Sequence, residues 1–554
     1  MSRRTTITRS KSGCKTCKIR RVKCDESRPA CRRCTSTGRI CDGYGIWGRE
    51  EGLSSTPSHT HTITHSTHLG LISKLSREDQ QQFHWFSHQT VKRVSGVFSI
   101  SFWKTLVLQA SHTQPAVLYA ALALGSAHKR VMLDAGSRQS VPTSHKLDHQ
   151  QRATLRYYNT AIQLLHTHFN AKDKASTRIA LISCIVFICL EYMQQRYETG
   201  YAHLQSGIKL LDTVLGSPKS GDTLSDSSDW PKSHGVVDDC LIETLHRLNL
   251  QTTLIKNGLI QSDSIKAYCM RNSIPDAFSS VEESRTHLDR LLSRAHHLEG
   301  ESQKVDVSKN SGSAFELLSL QQLLRTDLMC WLQTHRKLGA KLEQASRDRL
   351  GYELLGIYHS MAYIITESAF YPLHQDSSRC TAHFESILST TTTFVASVSP
   401  LLAEGRLSGH CPGRFNFITD LGIIPPLFYT ALKCPEPEIK HEATELLAKI
   451  IHREGIWDGP LASCIVTDVM RLEEGGVDTT HATPSTESPS PNNTEEASPL
   501  WVPEFEGPES CGRLPTDSRA DLVMTSNIRQ RDGSWIAISR GFNRSLGKLR
   551  WSSL

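Results

Sequence analysis

Residues 13–41 read GCKTCKIRRVKCDESRPACRRCTSTGRIC and contain six cysteines in two copies of one unit, C-x2-C-x6-C. A structural zinc ion takes four thiolate or imidazole ligands in a tetrahedron, and a C-x2-C turn supplies two of them with little strain. Two ions need eight ligand positions, which six cysteines can fill only if two of them are shared. Since the segment has no histidine, the spacing predicts a two-zinc cluster with bridging thiolates. The predicted ligands are Cys14, Cys17, Cys24, Cys31, Cys34 and Cys41.

Two other interpretations of these cysteines stay open at this point. One is a single zinc ion held by Cys14, Cys17, Cys31 and Cys34, although the matched six-residue gaps favour two ions. The other is a disulfide framework, which belongs to secreted proteins in oxidising compartments. Residues 1–12 form a basic arm with four Lys or Arg and no apolar run, so they do not match a secretory signal peptide. We therefore favour zinc.

Basic residues are concentrated around the cysteines. The first 45 residues hold 13 Lys or Arg against three acidic residues, whereas the whole chain of 554 residues carries a formal charge of only +7. This local excess of positive charge indicates a polyanionic ligand. A short helix from Cys17 to Cys24 would project basic side chains into a major groove, where Arg and Lys pair with guanine. The predicted DNA-binding residues are Lys15, Lys18, Arg20, Arg21 and Lys23.

The spacing and charge of residues 13–41 resemble those of the fungal binuclear zinc cluster transcription factors. The resemblance implies that the first and fourth cysteines, Cys14 and Cys31, bridge the two zinc ions. It also implies that the basic residues between the second and third cysteines read a CGG-type triplet in double-stranded DNA. The other four cysteines would complete the two sites in pairs, Cys17 with Cys24 and Cys34 with Cys41.

The segment at 44–70 departs from the pattern of many members of that family, which have a heptad coiled coil after the cluster. It is rich in Ser, Thr, His and Gly and contains no a/d apolar repeat, so we expect a disordered linker. A single module that reads three base pairs discriminates weakly. The sequence therefore predicts either a monomer that binds DNA with help or self-association elsewhere, with the helical domain as the candidate.

Residues 71–472 have helical apolar spacing and little strand-like alternation, which predicts one large all-α domain. A pair of helices is expected around Pro115, with Leu118, Leu122 and Gly125 on one face of the second helix. Two further apolar stripes are predicted, Leu155 with Tyr158, Ile162, Leu165 and Phe169, and Leu317 with Leu324, Leu328, Trp331 and Leu332.

Two local patterns refine this domain. Ser280 and Glu283 have the spacing of a capping box, which would open a helix. The most apolar run, residues 179–190, is shorter than the roughly 20 apolar residues that cross a membrane, so we expect a buried helix and no membrane partner. Cys184 and Cys189 within it are predicted to be small buried side chains. The helix after the capping box would bury Leu288, Leu291, Leu292 and Ala295.

The helical region also resembles, more loosely, the regulatory domain that follows the zinc cluster in a large group of these factors. The matching stretches are 99–130, 156–169 and 440–459. The resemblance implies regulation of DNA-bound activity. The region contains no nucleophile-elbow, zinc-protease or dinucleotide motif, and residues 216–221 lack the Lys-Ser/Thr of a phosphate loop. An acid/base set could be assembled only by guesswork from Asp420, Glu454 and Asp458, so we predict that the protein is not an enzyme.

Residues 473–554 are predicted to be a mostly disordered tail, first acidic and then basic. Acidic and aromatic residues alternate at 495–509, around Trp501 and Phe505. Such a mixture suits docking onto coactivators, and an inert linker is the equal alternative. The basic part beyond Asn527 suggests no function by itself.

Taken together, the sequence predicts a small zinc-stabilised binuclear cluster module at 13–43, followed by the all-α domain at 71–472. The predicted function is a nuclear, sequence-specific DNA-binding transcription regulator of RNA polymerase II genes, which reads CGG-type half-sites with two zinc ions as cofactors. The alternative is a transcriptional repressor or cofactor that is tethered weakly to DNA and acts mainly through protein contacts.

Overall fold

The computed structural model describes three regions of the chain, 13–41, 71–473 and 522–553, each with internal gaps of which the longest is 216–238. The predicted linker at 44–70 and the acidic segment at 495–509 lie outside the described residues. The chain divides into two compact units. The first comprises Met1–Met193, Gly200–Asn249 and Ile260–Ser273, and the second comprises Gln194–Thr199, Leu250–Leu259 and Ile274–Leu554.

Helices are the regular elements among the described residues of the first unit. The ends of two of its helices extend into the segments assigned to the second unit. A 3-10 turn at Leu71–Lys74 and two π-helical turns at Phe86–Thr90 and Phe102–Leu106 join its shorter helices. The α-helices are α1 (Arg32–Thr35), α2 (Arg77–Trp85), α3 (Val91–Val94), α4 (Val107–Ser111), α5 (Pro115–Gly136), α6 (His149–Phe169), α7 (Lys174–Met193), α8 (Tyr197–Leu215), α9 (Asp239–Thr253) and α10 (Asp263–Cys269).

The second unit is largely helical and also contains short strands. Its helices are α11 (Val281–Ser302), α12 (Ser311–Gly339), α13 (Arg347–Ser368), α14 (Ser378–Ala403), α15 (Ile424–Lys433), α16 (Pro437–Ala448) and α17 (Gly459–Glu473). Its strands are β1 (Phe417–Ile418), β2 (Arg453–Glu454), β3 (Trp457–Asp458), β4 (Leu522–Arg529), β5 (Trp535–Asn543) and β6 (Lys548–Ser553).

Helix α5 is the centre of the first unit and packs against α2, α4, α6 and α7. Pro115 is its first residue, where the missing N–H costs nothing. Leu118 and Leu122 are fully buried. A Cβ added to Gly125 would lie 3.0 Å from Cβ of Phe86, so glycine allows the π-helical turn to approach α5 closely. The face predicted for this helix is therefore confirmed.

The stripe predicted for α6 is rotated in the structure. Leu165 is buried, but Leu155 is 37% exposed. The neighbouring Tyr157 is buried instead, and its hydroxyl donates a hydrogen bond to Oδ1 of Asp79 at 2.5 Å. Burial raises the pKa of Tyr157 above its usual value. Each residue advances a helix by about 100°. The prediction placed Tyr158 in the core in place of Tyr157, so the predicted face is turned by about that angle.

Among the described residues one helix, α7, is long and apolar enough to cross a membrane by length and composition, and 89% of its most apolar window is buried inside the protein. The core helix of a soluble protein passes the same test. Cys189 is buried, and the thiol of half-buried Cys184 donates to the carbonyl oxygen of His203 at 3.1 Å. The structure confirms a buried helix here.

Helices α11 and α12 follow their predictions closely. The N–H of Glu283 donates to Oγ of Ser280 at 3.1 Å, while its carboxylate accepts the N–H of Ser279 at 2.7 Å, one residue earlier than in a standard capping box. The indole N–H of Trp331 donates to the carbonyl oxygen of Ser284 at 2.8 Å. The predicted core residues Leu288, Leu291, Leu292, Ala295, Leu324, Leu328 and Trp331 are buried. The other two members of the predicted stripe on α12, Leu317 and Leu332, are half-buried.

Within the part of the chain that the structure describes, two three-stranded sheets depart from the all-α expectation. Strand β2 pairs parallel to β1 and antiparallel to β3, with Gly455 at φ +57° in the turn. Strands β4, β5 and β6 form an antiparallel sheet within the tail that we expected to be mostly disordered. Their sequences are rich in β-branched and aromatic residues, and Asp532-Gly533 between β4 and β5 is a hairpin signal. The expectation of a mostly disordered tail is therefore wrong for these strands.

Candidate zinc and DNA-binding site

The six N-terminal cysteines meet in one buried group, which is the core formed by the described residues of 13–41. Their sulfurs fall into two sets of four, and within each set all sulfurs lie within 4.8 Å of one another. The Sγ atoms of Cys14 and Cys31, which belong to both sets, are 3.6 Å apart. In a tetrahedron with zinc–sulfur bonds of 2.3 Å, sulfurs are about 3.8 Å apart. The two sets are Cys14, Cys17, Cys24 and Cys31, and Cys14, Cys31, Cys34 and Cys41.

The two C-x2-C-x6-C units hold their sulfurs with the same backbone bonds. In each unit the second cysteine donates its N–H to the sulfur of the first, Cys17 to Cys14 and Cys34 to Cys31, both at 3.3 Å. The first cysteine of each unit donates its N–H to the sulfur of the third, at 3.4 Å for Cys24 and 3.3 Å for Cys41. The sequence repeat is therefore a structural repeat, and N–H donors stabilise thiolates at these positions.

The sulfurs need a cation to exist as thiolates together. Burial raises the pKa of the Cys14 thiol far above its usual value and that of Cys17 to about 12. Burial also acts to raise the pKa of Cys31, but hydrogen bonds led by that from Cys34 lower it to about 7. A metal ion deprotonates coordinating thiols. Six buried sulfurs in two sets of four, each set within 4.8 Å, are a donor set that fits zinc.

Asp25 positions the second half of the cluster, a role that the sequence analysis missed. Its carboxylate accepts the backbone N–H groups of Arg32 and Arg33 at 3.1 and 3.3 Å, at the start of α1. It also accepts the hydroxyl of Ser27. The Ser27 hydroxyl and then the two N–H groups hold the pKa of Asp25 at about 2. Asp25 lies seven residues before the helix that it caps, and no known local sequence pattern has that spacing. Its role therefore could not be predicted from the sequence.

The predicted recognition helix is shorter than expected. The N–H groups of Arg20 and Val22 donate to the carbonyl oxygens of Thr16 and Cys17 at 3.0 and 3.1 Å, and residues 22–27 are outside any helix. The expectation of a helix from Cys17 to Cys24 is therefore wrong at its C-terminal end. Since Cys24 must turn inward with the other sulfurs, the chain leaves the helical path before it.

The structure places two of the five predicted DNA-binding residues. The guanidinium of Arg20 donates to Oγ1 of Thr37 at 3.3 Å, an exposed bond that joins the two half-units. Lys23 is exposed. Lys15, Lys18 and Arg21 lie outside the described residues.

The three carboxylates of the guessed acid/base set accept hydrogen bonds from backbone N–H groups and from an arginine. Asp420 is buried and accepts a bond from Arg285. Oδ1 of Asp458 accepts the N–H of Leu461 at 3.1 Å, at the start of α17. Buried Glu454 accepts three backbone N–H groups at 2.9 to 3.1 Å at the start of α15, from Gly422, Ile423 and Ile424.

Comparison with known proteins agrees with this geometry. Residues 12–46 match the fungal Zn(2)-Cys(6) binuclear cluster domain. The chain carries the zinc cluster domain of fungal transcription regulators. Residues 81–258, within the helical region, match the fungal specific transcription factor domain. Both resemblances inferred from the sequence are thus confirmed, the second over 99–130 and 156–169, whereas the stretch at 440–459 lies beyond the matched residues. The zinc cluster domain implies zinc binding and DNA binding.

Several fungal regulators are similar to this chain in sequence. The aspercryptin biosynthesis cluster-specific transcription regulator atnN of Emericella nidulans is 24% identical over 86% of this chain and 90% of its own length. The transcription regulator lscL of Purpureocillium lilacinum is 23% identical over 64% of this chain and 85% of its own. The transcriptional regulatory protein moc3 of Schizosaccharomyces pombe is 54% identical over 12% of this chain and 13% of its own. No solved structure shows significant similarity.

These relatives and both domain families are those of transcription regulators and not of enzymes. They confirm the prediction of a non-enzyme.

Proposed function

We propose that the protein is a nuclear, sequence-specific DNA-binding regulator of RNA polymerase II genes, which reads CGG-type half-sites through its zinc cluster. The observation that carries the proposal is the pair of four-sulfur sets that share Cys14 and Cys31. Two sets that share two members are the arrangement by which six cysteines bind two tetrahedral ions.

One zinc ion would be held by the set that contains Cys17 and Cys24, and the other by the set that contains Cys34 and Cys41. Zinc supplies cross-links and positive charge to a module in which the described residues form no core besides these cysteines. The chain's own contribution is to hold the helical turn after Cys17 in a fixed orientation, which presents the basic residues to the base edges.

In the DNA complex, Arg20 would give up its exposed hydrogen bond to Thr37 and donate hydrogen bonds to O6 and N7 of a guanine. The exchange costs little, since the bond lost is between exposed groups. Exposed Lys23 would contact phosphate or base edges beside it. The remaining members of the predicted DNA-binding set are Lys15, Lys18 and Arg21.

The protein is also proposed to self-associate through its helical domain and to bind coactivators through residues 495–509. An exposed apolar set on α12 supports self-association, because a solvated helix face normally carries charged residues there. Its members are Phe315, Leu318, Leu323 and Met329, which are 72%, 42%, 46% and 59% exposed. Support for the coactivator segment comes from its sequence, in which acidic and aromatic residues alternate.

The relative from Emericella nidulans is named as the regulator specific to the aspercryptin biosynthesis cluster. We propose that the protein described here likewise controls a group of neighbouring biosynthetic genes. Transcript profiles after deletion and overexpression of this gene should change together across one such group. Changes scattered over the genome would contradict the extension.

The test of the DNA-binding proposal is selection of binding sites from random duplex DNA by the zinc-loaded, full-length protein at fixed salt. We expect enrichment of a CGG triplet. Arg20→Ala should lower discrimination by about 1 to 3 kcal/mol at one base pair. The matched control is Arg33→Ala, since Arg33 is exposed on the other half-unit and gives only its N–H to Asp25. This control should weaken binding without changing the preferred triplet.

The weakly tethered repressor or cofactor makes a different prediction in the same experiment. It would show no enriched triplet, and Arg20→Ala would bind DNA like the wild type. Regulation in cells that persists with the Arg20→Ala, Arg21→Ala double variant would replace our proposal with that alternative.

A further inference from the structure

Helix α12 of the second unit has an exposed face without charge. Every exposed side chain of this helix between residues 317 and 335 is uncharged. We call these side chains, together with Phe315 one turn before them, the uncharged face. Its members are Phe315, Leu318, Ser319, Gln322, Leu323, Thr326, Met329, Cys330 and Gln333. At 1.5 Å and 100° per residue, they cover about 27 Å of the helix length and about 140° of its circumference.

The charged residues of the same stretch, Arg325 and Asp327, form ion pairs inside the second unit. Nε and Nη2 of Arg325 donate to the two carboxylate oxygens of Glu367, both at 2.6 Å. Nη1 of Arg294 donates to Oδ2 of Asp327, also at 2.6 Å. Both charges are therefore held at the sides of the helix. Since a helix face that contacts only water normally carries charged residues, the uncharged face is suited to burial against a protein surface.

The two ends of the uncharged face carry charges of opposite sign. Glu316 is exposed at the N-terminal end, and Arg336 and Lys337 are exposed at the C-terminal end. Nζ of Lys337 donates to the carbonyl oxygen of Asp276 at 3.2 Å, which holds the ammonium group at this end. Two antiparallel copies of the helix would bring each acidic end beside a basic end, whereas parallel copies would bring like charges together. The face is therefore complementary to itself in one orientation.

We propose that the uncharged face of α12 packs against the same face of a second copy of this chain, with the two helices antiparallel about a two-fold axis near Thr326. This inference deepens the proposed self-association of the helical domain and rests on it. In a two-fold interface each contact occurs twice, because the same surface is used by both copies. Leu323 of one copy then lies beside Met329 and Cys330 of the second. The dimer carries two zinc clusters, so it can bind two half-sites at once with raised affinity.

The first measurement is the mass of the zinc-loaded, full-length protein in solution, by analytical ultracentrifugation over a range of concentrations. We expect the wild type to form a dimer. Met329→Lys places a charge inside the interface in both copies, so it should raise the dimer dissociation constant by about tenfold or more. The matched control is Val395→Lys on α14, where the side chain is 41% exposed and lies off the uncharged face. It should leave the constant unchanged, and a monomeric wild type or equal effects of the two variants would overturn the inference.

An exchange of charges tests the orientation of the two helices. Glu316→Lys places like charges at both ends of the antiparallel pair, so it should weaken the dimer by about threefold or more. The addition of Lys337→Glu should restore the dimer. Positions 316 and 337 are about 30 Å apart on one helix, so the recovery can come only from contact between two copies. A double variant that is no stronger a dimer than Glu316→Lys would overturn the antiparallel arrangement.

Exposed Cys330 allows the register to be measured by disulfide formation. In Leu323→Cys under mild oxidation, we expect a disulfide between position 323 and Cys330, identified by mass spectrometry of the linked peptides. Within one chain these positions are about 10 Å apart along the helix, beyond the roughly 7 Å between Cα atoms that a disulfide spans. The link must therefore join two copies, and Leu323→Cys, Cys330→Ser should not form it. A link between two Cys330 residues in the wild type would indicate parallel helices and overturn the inference.

Failure of the proposed DNA-binding function gives a different result. Met329→Lys should still select the triplet in the presence of zinc, because its cluster is unchanged, although it should no longer select paired half-sites. A wild type that dimerises through α12 and selects no triplet would contradict the DNA-binding proposal and support this inference. A wild type that selects the triplet as a monomer would do the reverse.

Discussion

The zinc module and the helical units bury their cores with different chemistry. In the module the buried group consists of six cysteines, whereas the helical units bury side chains such as Leu122, Leu328 and Trp331. Apolar burial stabilises by about 25 cal/mol per Å2 and needs no ligand. A core of thiols gains little from apolar burial. Its free energy of folding comes from metal binding. The two regions of one chain should therefore respond to different perturbations.

The largest effect should come from a strong zinc chelator. Its addition to the full-length protein should unfold residues 13–41 and abolish DNA binding, because the cysteine core has no alternative source of stability. Thermal unfolding of the helical units should be unchanged. Calorimetry and a DNA-binding assay on the same sample measure both effects. Loss of the helical transition together with zinc would show that the two cores are not independent.

Substitution of a shared ligand should be worse than substitution of an unshared one. Cys14 belongs to both four-sulfur sets and Cys34 to one. We expect Cys14→Ser to retain no zinc and Cys34→Ser to retain about one ion per chain. Metal content of the purified proteins, measured by mass spectrometry, gives the ratio, and the wild type should hold about two ions.

Equal zinc loss in the two serine variants would contradict the bridging arrangement. The control is Cys269→Ser, since Cys269 is buried in α10 beside His246, whose Nε2 is 3.3 Å from its sulfur. This variant should keep the full zinc content while it lowers the stability of the first unit.

The same contrast explains which parts of the protein could be predicted from its sequence. Cysteine spacing specifies individual ligand atoms, so all six predicted sulfurs meet in the structure. Apolar periodicity specifies only a helix face, and it placed Tyr158 on the buried face, whereas the structure buries Tyr157. The predicted face at Leu155 was wrong because the hydroxyl of Tyr157 finds a partner in distant Asp79, which no local pattern shows.

Two other features were missed for different physical reasons. Asp25 acts on N–H groups seven and eight residues away, so its role depends on the metal-driven fold of the module. The strands β4–β6 were masked by the polar and charged composition of the tail, although Asp532-Gly533 between two β-rich segments is a local hairpin signal. The first could not be predicted from sequence, and the second could.

A smaller effect should come from an apolar truncation in the first unit. Leu122 on α5 is fully buried, and Leu122→Ala should lower the free energy of unfolding by about 2 to 5 kcal/mol. The matched control is Leu155→Ala on α6, where the side chain is 37% exposed and the loss should be within about 1 kcal/mol. Denaturant unfolding measures both. Zinc content should be unchanged in each variant, and a zinc deficit in Leu122→Ala would show that the cores are coupled.

The smallest effect should be a pH dependence that belongs to the second unit. Burial lowers the pKa of His359 to about 4, and its Nε2 lies 3.1 Å from the carbonyl oxygen of Leu328. In the unfolded chain the pKa is about 6.5, so the unfolded state binds the extra proton first. The stabilisation is complete above pH of about 6.5 and is lost as the pH falls toward 4, at up to about 1.4 kcal/mol per pH unit.

This pH dependence can be separated from zinc loss, which acid also causes, because protons compete for the thiolates. With chelator present at every pH, the zinc module is unfolded in all samples. The measured unfolding is then that of the helical units alone. His359→Phe keeps an aromatic ring against Trp331, whose ring centroid lies 5.3 Å away, and removes the titrating group. It should be less stable than the wild type at pH 7 and lose less stability on acidification. His441→Phe, at an exposed position on α16, should keep the wild-type slope, and an equal change in both variants would exclude His359 as its source.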